Sequence, residues 1–175
     1  MGLNLLKSRS IVFDLETTGL YPRRGCRVIE IGAIALEEGR PGREFHSLLS
    51  PPVIVPAKVT NIHHITEEML KGAPQPDEVI PAFKDFIGTA TLIAHNAKFD
   101  MAFLRAEFGR LGLGLTNHSR CTMEMSRNLY PQLPNHRLET VARHVLGQIP
   151  EDCQLHRALD DARLTAKIWM KMVKR

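Results

Sequence analysis

The sequence predicts an α/β fold with one mixed β-sheet flanked by helices. Three segments near the amino terminus have the character of successive strands, and strand-like and helix-like segments alternate after them, which is the pattern of a sheet covered by helices. A length of 175 residues with 43% apolar composition suffices for one core but not for two ordinary domains. We therefore expect residues 1–175 to form a single domain.

The early strands lie in the first third of the chain. Residues 10–16 begin apolar and β-branched and stop at Thr17-Thr18-Gly19, which suits a strand followed by a turn. Residues 27–36 and 44–49 predict the next two strands. The Gly/Pro-containing residues 37–43 predict a hairpin loop between them.

The remaining elements follow in chain order. Most prolines fall in residues 50–81, which predicts loops around one or two short helices, one beginning near Thr66. Beyond them, the hydrophobic patterns predict strands at 91–94 and 118–121 and helices at 98–110, 122–129, 138–146 and 157–173. Gly112 is placed to end the first of these four helices.

Composition narrows the class of protein. No stretch approaches the roughly 20 apolar residues of a membrane span, and the apolar run in residues 1–10 is too short for a secretory signal. We therefore expect a soluble cytoplasmic protein with no membrane partner. Cys26, Cys121 and Cys153 form no Cys-x-x-Cys pair, so we expect reduced thiols. The net charge of +4 suits a phosphate-backbone partner, although an ordinary soluble surface is the alternative.

Asp14 and Glu16 are the first candidate site residues. They lie two positions apart on the first predicted strand, so their side chains point to the same face. Two like charges on an apolar strand are costly unless a cation neutralises them, and carboxylate oxygens suit Mg²⁺ or Mn²⁺. The alternative is a strand end that reaches solvent.

Two further acids lie on predicted helices. Asp100 shares a helix face with Leu104 and Phe108, which is the apolar face, although an acid near a helix start also favours the dipole. In the last helix Asp161 shares its face with Ala158, Leu164, Thr165 and Ile168, whereas Asp160 shares its face with Arg157, Arg163 and Lys167. We therefore predict that Asp161 is the functional acid and that Asp160 is at the surface.

His156 is the candidate proton-transfer residue. It precedes Asp161 by five residues, so a loop or a first helical turn can bring its imidazole to the same cleft. Histidine accepts a proton near neutral pH. A solvated loop histidine is the alternative.

Three segments together resemble one enzyme family. Residues 13–19 (Phe-Asp-Leu-Glu-Thr-Thr-Gly) resemble the first exonuclease motif of the histidine-containing, DnaQ-like branch of the DEDD superfamily. Residues 95–100 (His-Asn-Ala-Lys-Phe-Asp) resemble the second motif, and residues 156–162 (His-Arg-Ala-Leu-Asp-Asp-Ala) resemble the third. The motifs occur in the family's order and span nearly the whole chain.

The resemblance implies a ribonuclease-H-like fold with a five-stranded sheet and a two-metal phosphodiester hydrolysis. It implies that Asp14 bridges two Mg²⁺ or Mn²⁺ ions, that Glu16, Asp100 and Asp161 complete their coordination, and that His156 is the general base. The expected reaction is 3′→5′ removal of nucleotides.

The resemblance also implies a set of substrate contacts. Thr17 and Thr18 would lie against the terminal nucleotide, Leu20 would contact its base, and Asn96 and Phe99 would support the pocket. Residues 63–66 (His-His-Ile-Thr) are similar to the family's His-Gly-Ile-Thr segment, so His63 would approach a phosphate or the terminal sugar. For Phe99 the alternative is a core role, and for Thr17 and Thr18 a role in shaping a turn.

The resemblance favours DNA with a free 3′ end, preferably single-stranded, in proofreading or repair. The residues are most similar to epsilon-type proofreading exonucleases of DNA polymerase III, with some features of exonuclease X. Only 14 residues follow Asp161, so we do not expect a long polymerase-binding tail; a polymerase or repair partner stays possible. The alternatives are RNA trimming, a non-catalytic nucleic-acid-binding module and a phosphohydrolase of small nucleotides.

The two adjacent aspartates give a direct test of the helix register. We expect Asp161→Asn to abolish nucleotide removal and Asp160→Asn to leave it intact, because only Asp161 lies on the buried face. Gel analysis of an end-labelled oligonucleotide measures both variants. The opposite result would overturn the assignment of faces.

Overall fold

The computed structural model describes residues 8–174, and its centre is a five-stranded sheet. The strands are β1 (Ser10–Thr17), β2 (Val28–Glu37), β3 (Arg40–Leu48), β4 (Thr91–Ala94) and β5 (Ser119–Cys121), arranged in the order β3-β2-β1-β4-β5. β1 pairs antiparallel with β2 and parallel with β4. The predicted mixed five-stranded sheet is confirmed. The predicted absence of a secretory signal rests largely on residues 1–7, which lie outside the described residues.

Helices account for most of the remaining chain. They are α1 (Ala57–His63), α2 (Glu67–Leu70), α3 (Pro76–Ile87), α4 (Ala97–Arg110), α5 (Thr122–Leu129), α6 (Leu138–Leu146) and α7 (Ala158–Met172). The last four lie within a residue of their predicted bounds. Within residues 8–174, every helix falls short of the length and apolarity that a membrane crossing would need.

The alternation of side chains along β1 explains how the two faces of the sheet are covered. Ile11, Phe13 and Leu15 belong to a core cluster with residues of α3 and α4. Val12 belongs to a second cluster, with Trp169 of α7. Because Asp14 and Glu16 share the parity of Val12, β1 directs both carboxylates toward the layer formed by α7.

The predicted hairpin between the second and third strands is confirmed, but its loop is shorter than the predicted residues 37–43. The turn consists of Glu38 and Gly39, with φ values of 51° and 72°, and β3 already begins at Arg40. Two residues with positive φ form the tight turn that matches strand twist. Pro41 lies within β3, which is an edge strand of the sheet, where a missing backbone N–H is tolerated.

The region 50–81 contains more helix than its prolines predicted. Thr66 caps α2 as expected, its hydroxyl accepting from the Met69 N–H at 3.2 Å. The prediction missed α3, which starts at Pro76 and continues through Pro81. A capping box between Gln75 and Glu78 stabilises its start. Pro81 costs the helix one backbone hydrogen bond, but burial of the apolar face outweighs that loss. The buried residues of this face are Pro76, Val79, Ile80, Phe83 and Ile87.

Gly32 sets the distance between the sheet and α7. Asp14 and Gly32 are paired across β1 and β2. A Cβ atom at Gly32 would lie 2.1 Å from the backbone nitrogen of Leu159 and 2.2 Å from the carbonyl carbon of Ala158. The first turn of α7 therefore packs directly against the backbone of β2, next to β1, the strand that carries Asp14 and Glu16.

We expect Gly32→Ala to destabilise the protein by about 3 kcal/mol or more, because backbone rather than a flexible side chain blocks the new methyl group. Chemical denaturation measures the change. Gly109→Ala is the matched control, since Gly109 lies inside α4 and a Cβ there meets no atom within 4 Å. That variant should gain roughly 0.5–1 kcal/mol. Equal effects of the two substitutions would contradict the close approach.

Candidate active site

Three carboxylates from two elements converge at the end of β1. Asp14 and Glu16 project from β1, and Asp161 projects from the first turn of α7. One ligand oxygen from each of the three lies within 4.8 Å of the others. The structure thus brings together three of the four predicted acidic residues in one group.

Asp100 is the fourth predicted acid. It lies in the first turn of α4 and is 2% exposed. It stands outside the three-residue group, yet its charge raises the pKa values of both Asp14 and Glu16. The backbone N–H of Leu15 donates a hydrogen bond to the Asp100 carboxylate, which ties α4 to β1. Asp100 therefore borders the acidic group from a third element.

The predicted faces of α7 are confirmed by burial. Asp161 is 6% exposed, and Ala158, Leu164, Thr165 and Ile168 are buried with it. Asp160 lies at the outer side, where Arg163 Nη1 donates to its Oδ1 at 3.0 Å. Arg157 does not follow the predicted pattern: it is the residue before the helix, with extended φ and ψ, so helical spacing does not govern its direction.

The acidic group is electrostatically unfavourable without a cation. Burial, followed by repulsion from the neighbouring carboxylates, raises the pKa of Glu16 to about 8 and the pKa of Asp14 well above its usual range. Burial likewise raises the pKa of Asp100 to about 8 and that of Asp161 to about 7. Groups with raised pKa values favour a bound cation as partner.

The residues present fit a divalent metal ion. All the converging ligand atoms are carboxylate oxygens, which hard cations prefer. Asp161 supplies a further observation: its Oδ1 is buried and has no hydrogen-bond partner among the described residues. A buried carboxylate oxygen normally has a partner, and a cation shared with Asp14 and Glu16 would provide it.

His156 lies two residues before the start of α7 and is exposed. Its backbone N–H donates to Asp161 Oδ2 at 3.1 Å. Its φ of 61° is in the left-handed region, which is uncommon for a residue with a side chain. The loop therefore places the predicted base beside the carboxylate group and leaves its ring accessible.

An apolar cleft of about 440 Å³ lies between the loop after β1 and the first half of α4. Leu20, which is 66% exposed, and the half-buried Phe99 line this cleft together with Asn96. Phe99 also packs on Phe103, with ring centroids 4.9 Å apart, so it contributes to the core as well. The structure thus brings three of the predicted substrate residues to one surface.

Thr17 and Thr18 use their hydroxyl groups within the loop. Thr17 Oγ1 donates to the Gly19 carbonyl at 2.7 Å, and Thr18 Oγ1 accepts from the Arg27 N–H at 2.9 Å. Arg27 in turn forms a bidentate pair with the buried Glu107 of α4. Both hydroxyls thus contribute to the turn, as the alternative interpretation expected.

His63 and His64 have different environments. His63 is 2% exposed, and its Nδ1 accepts from the Ile65 N–H at 3.0 Å, so the neutral ring carries its proton on Nε2. That buried nitrogen has no partner among the described residues. Burial lowers the pKa of His63. His64 caps the end of α1 with a φ of 58°, a left-handed conformation that glycine adopts most readily.

Sequence reasoning missed Glu30. This residue of β2 is 1% exposed and pairs with Glu16 in the sheet register. Arg157, expected on a solvated face, instead donates to Glu30 Oε1 from Nη2 at 2.7 Å. One acidic residue inside the apolar run Val28-Ile29-Glu30-Ile31 was the available signal, because a buried charge requires a partner.

Comparisons with known proteins identify the family. The RNase T exonuclease family profile matches residues 11–169. The chain is 41% identical over 158 residues to a PolC-type DNA polymerase III of Clostridium perfringens, covering 90% of this chain and 11% of that protein. It is 39% identical over 171 residues to the PolC-type enzyme of Halalkalibacterium halodurans, covering 97% of this chain and 12% of that protein. The chain thus spans about a tenth of the length of these relatives.

Solved structures agree with this result. Exonuclease X in complex with 5′-overhanging duplex DNA has a TM-score of 0.74 and 27% identity, with 95% of this chain and 90% of that chain covered. The nuclease domain of 3′hExo, a DEDDh family member bound to rAMP, shares the fold with a TM-score of 0.78 at 19% identity, covering 96% and 92%. The chain belongs to the exonuclease family.

Proposed function

We propose that this chain acts as one exonuclease domain that removes nucleotides from the 3′ end of DNA, with two divalent ions held by Asp14, Glu16, Asp100 and Asp161. The observation that carries the proposal is the convergence of three carboxylates within 4.8 Å, with Asp161 Oδ1 buried and unpartnered in the described structure. Mg²⁺ and Mn²⁺ are the ions that suit such an oxygen-only ligand set. Bound ions of this kind activate water and stabilise a leaving oxygen.

His156 would accept the proton of the attacking water. Its backbone is fixed by the bond to Asp161, while its exposed imidazole stays free to meet solvent and substrate. A general base needs this combination of a fixed position and an accessible nitrogen.

The apolar cleft would receive the terminal nucleotide. Leu20 and Phe99 offer apolar surface to a base, and Asn96 offers an amide. The turn containing Thr17 and Thr18 would meet the sugar with backbone groups, because its hydroxyls are already bonded within the loop. The buried Nε2–H of His63 has no acceptor within residues 8–174 and would suit a phosphate or sugar oxygen.

Similarity supports DNA as the substrate. The relatives are DNA polymerases of the PolC type, and Exonuclease X was solved with duplex DNA. A free 3′ end would have to separate from its partner strand to enter the cleft, so single-stranded ends should be preferred. The rAMP-bound 3′hExo domain has the same fold, which makes RNA the competing substrate. A polymerase context is the proposed setting, because the relatives extend far beyond this domain.

The proposal is tested by digesting 3′- and 5′-labelled single-stranded DNA and RNA of equal sequence. We expect stepwise loss from the 3′ end with Mg²⁺ or Mn²⁺, none with a chelator, and none with Asp14→Ala. DNA should be cleaved faster than RNA. Faster cleavage of RNA would reassign the substrate, and intact strands under all conditions would reject the enzyme assignment in favour of a binding module.

His156→Ala should lower the turnover rate by about a hundredfold or more, because a lost general base costs roughly 10²–10⁴ in rate. Single-turnover digestion measures the rate, and titration calorimetry with Mn²⁺ should show metal binding largely intact. Substitution of the exposed His118 by Ala serves as a control with normal turnover. Undiminished turnover of His156→Ala at neutral pH would remove His156 from the mechanism.

The raised carboxyl pKa values predict how stability depends on pH. Because Glu16, Asp100 and Asp161 have folded-state pKa values of about 8, 8 and 7, above the usual value of about 4, their stabilisation is complete below pH ~4. It is lost as pH rises through 7 and 8. In chelator we therefore expect the melting temperature to fall by ~5 °C or more between pH 5 and pH 8.

Divalent ion should reverse this fall, and its stabilising effect should increase with pH as the carboxylates lose their protons. Differential scanning calorimetry with and without Mg²⁺ measures both effects. Asp161→Asn should reduce the fall, whereas the matched Asp160→Asn should retain it. A chelated protein whose stability rises from pH 5 to pH 8 would contradict the raised pKa values.

A further inference from the structure

Glu30 is a fifth carboxylate beside the site, and its surroundings differ from those of the other four. It lies opposite Glu16 in the pairing of β1 with β2 and is 1% exposed. Burial would raise its pKa, but hydrogen bonds from His46, Arg157 and the Ala158 N–H lower the pKa to about 2. The Glu30 carboxylate thus accepts its hydrogen bonds from protein donors.

The hydrogen-bond donors to Glu30 come from β3 and from the start of α7. His46 Nε2 of β3 lies 2.8 Å from Glu30 Oε1. Arg157 reaches the same oxygen from Nη2 at 2.7 Å and from Nε at 3.1 Å. The backbone N–H of Ala158 donates to Oε2 at 3.0 Å. Two of these three partners are consecutive residues at the start of α7.

Glu30 caps α7 from another part of the chain. Arg157, the residue in the capping position, makes no side-chain cap, and an anion at a helix start satisfies free N–H groups and suits the dipole. Asp161 adds a second hydrogen bond at this end of α7, because its carboxylate accepts from the His156 N–H. His156 thus lies next to a segment held by Glu30 and is itself held by Asp161.

We propose that Glu30 is a positioning residue for catalysis: it fixes the start of α7 so that His156 and Asp161 face Asp14 and Glu16. The inference rests on the proposed function. His156 has a left-handed backbone, and such a conformation persists only where neighbouring bonds hold it. Loss of Glu30 would let residues 156–158 relax and would move the base away from the carboxylates.

The rest of α7 does not depend on Glu30. Leu164, Ile168 and Trp169 are buried against two core clusters. Arg163 forms a bidentate pair with Glu44 of β3, with distances of 2.8 and 2.6 Å. Removal of the Glu30 charge should therefore loosen the first turn while the helix stays docked on the sheet.

The matched pair Glu30→Gln and Glu44→Gln tests this directly. Each variant weakens one Arg–Glu pair between the sheet and α7, but only Glu30 holds the segment beside His156. Glu30→Gln should lower kcat by about tenfold or more with KM changed by less than about twofold, since misplacement of a reacting group acts on the chemical step. Glu44→Gln should leave both constants near wild type.

Amide hydrogen exchange followed by NMR gives a readout that does not require activity. In Glu30→Gln the amides of His156 and Ala158 should exchange at least about tenfold faster, while those of Leu164 and Ile168 keep their protection. If Glu30→Gln does not fold, Arg157→Lys serves instead, because it keeps the charge and the Ala158 bond but loses the bidentate geometry. It should show the same pattern with smaller amplitude.

The outcomes separate the two proposals. Wild-type protein that leaves every strand intact would reject the exonuclease function, whereas the exchange measurement would still decide whether Glu30 holds the start of α7. An active wild type with unchanged kcat in Glu30→Gln, or with exchange increased along the whole helix, would overturn the positioning role alone. A KM increase at constant kcat would also overturn it.

Discussion

The contact between α7 and the backbone of β2 at Gly32 is the constraint on which the acidic site depends. The absence of a side chain at Gly32 lets the first turn of α7 approach the sheet, where a Cβ atom would meet backbone at about 2.1 Å. Since Gly32 pairs with Asp14 in the sheet, this close approach brings Asp161 next to β1, the strand that carries Asp14 and Glu16. Sheet register and one missing methyl group therefore determine the spacing of the carboxylates.

The same approach concentrates negative charge in an apolar setting. Asp14, Glu16 and Asp161 repel one another, and the cations among the described residues do not neutralise them fully. Glu30, only one strand away, is satisfied by Arg157 and His46. The protein thus contains two kinds of buried acid. Glu30 is neutralised by protein side chains and stabilises the fold, whereas Asp14, Glu16 and Asp161 remain available to a bound cation. Such a division is typical of functional sites, where ionisable groups needed for activity lower the stability of the fold.

The sequence predicted the mixed sheet and the last four helices because their hydrophobic periodicity is strong and local. It separated Asp161 from Asp160 for the same reason. It failed where distant contacts decide: α3 continues through Pro81 because its apolar face is buried, and β3 starts early because two residues make the turn. Glu30 was missed because its partner Arg157 lies 127 positions away, and no local pattern reports such a pair.

Some non-glycine residues with a left-handed backbone lie next to the elements that carry the acidic residues. Among the described residues, His64, Asn96 and His156 are non-glycine residues with positive φ outside the β2–β3 turn. Asn96 lines the cleft, His156 adjoins Asp161, and His64 follows the buried His63. A left-handed backbone costs about 1–2 kcal/mol for most residues, and histidine and asparagine adopt it more often than other residues with side chains. Two of these positions lie where the chain enters the helices that carry acidic residues, since Asn96 precedes α4 with Asp100 and His156 precedes Arg157 and α7 with Asp161.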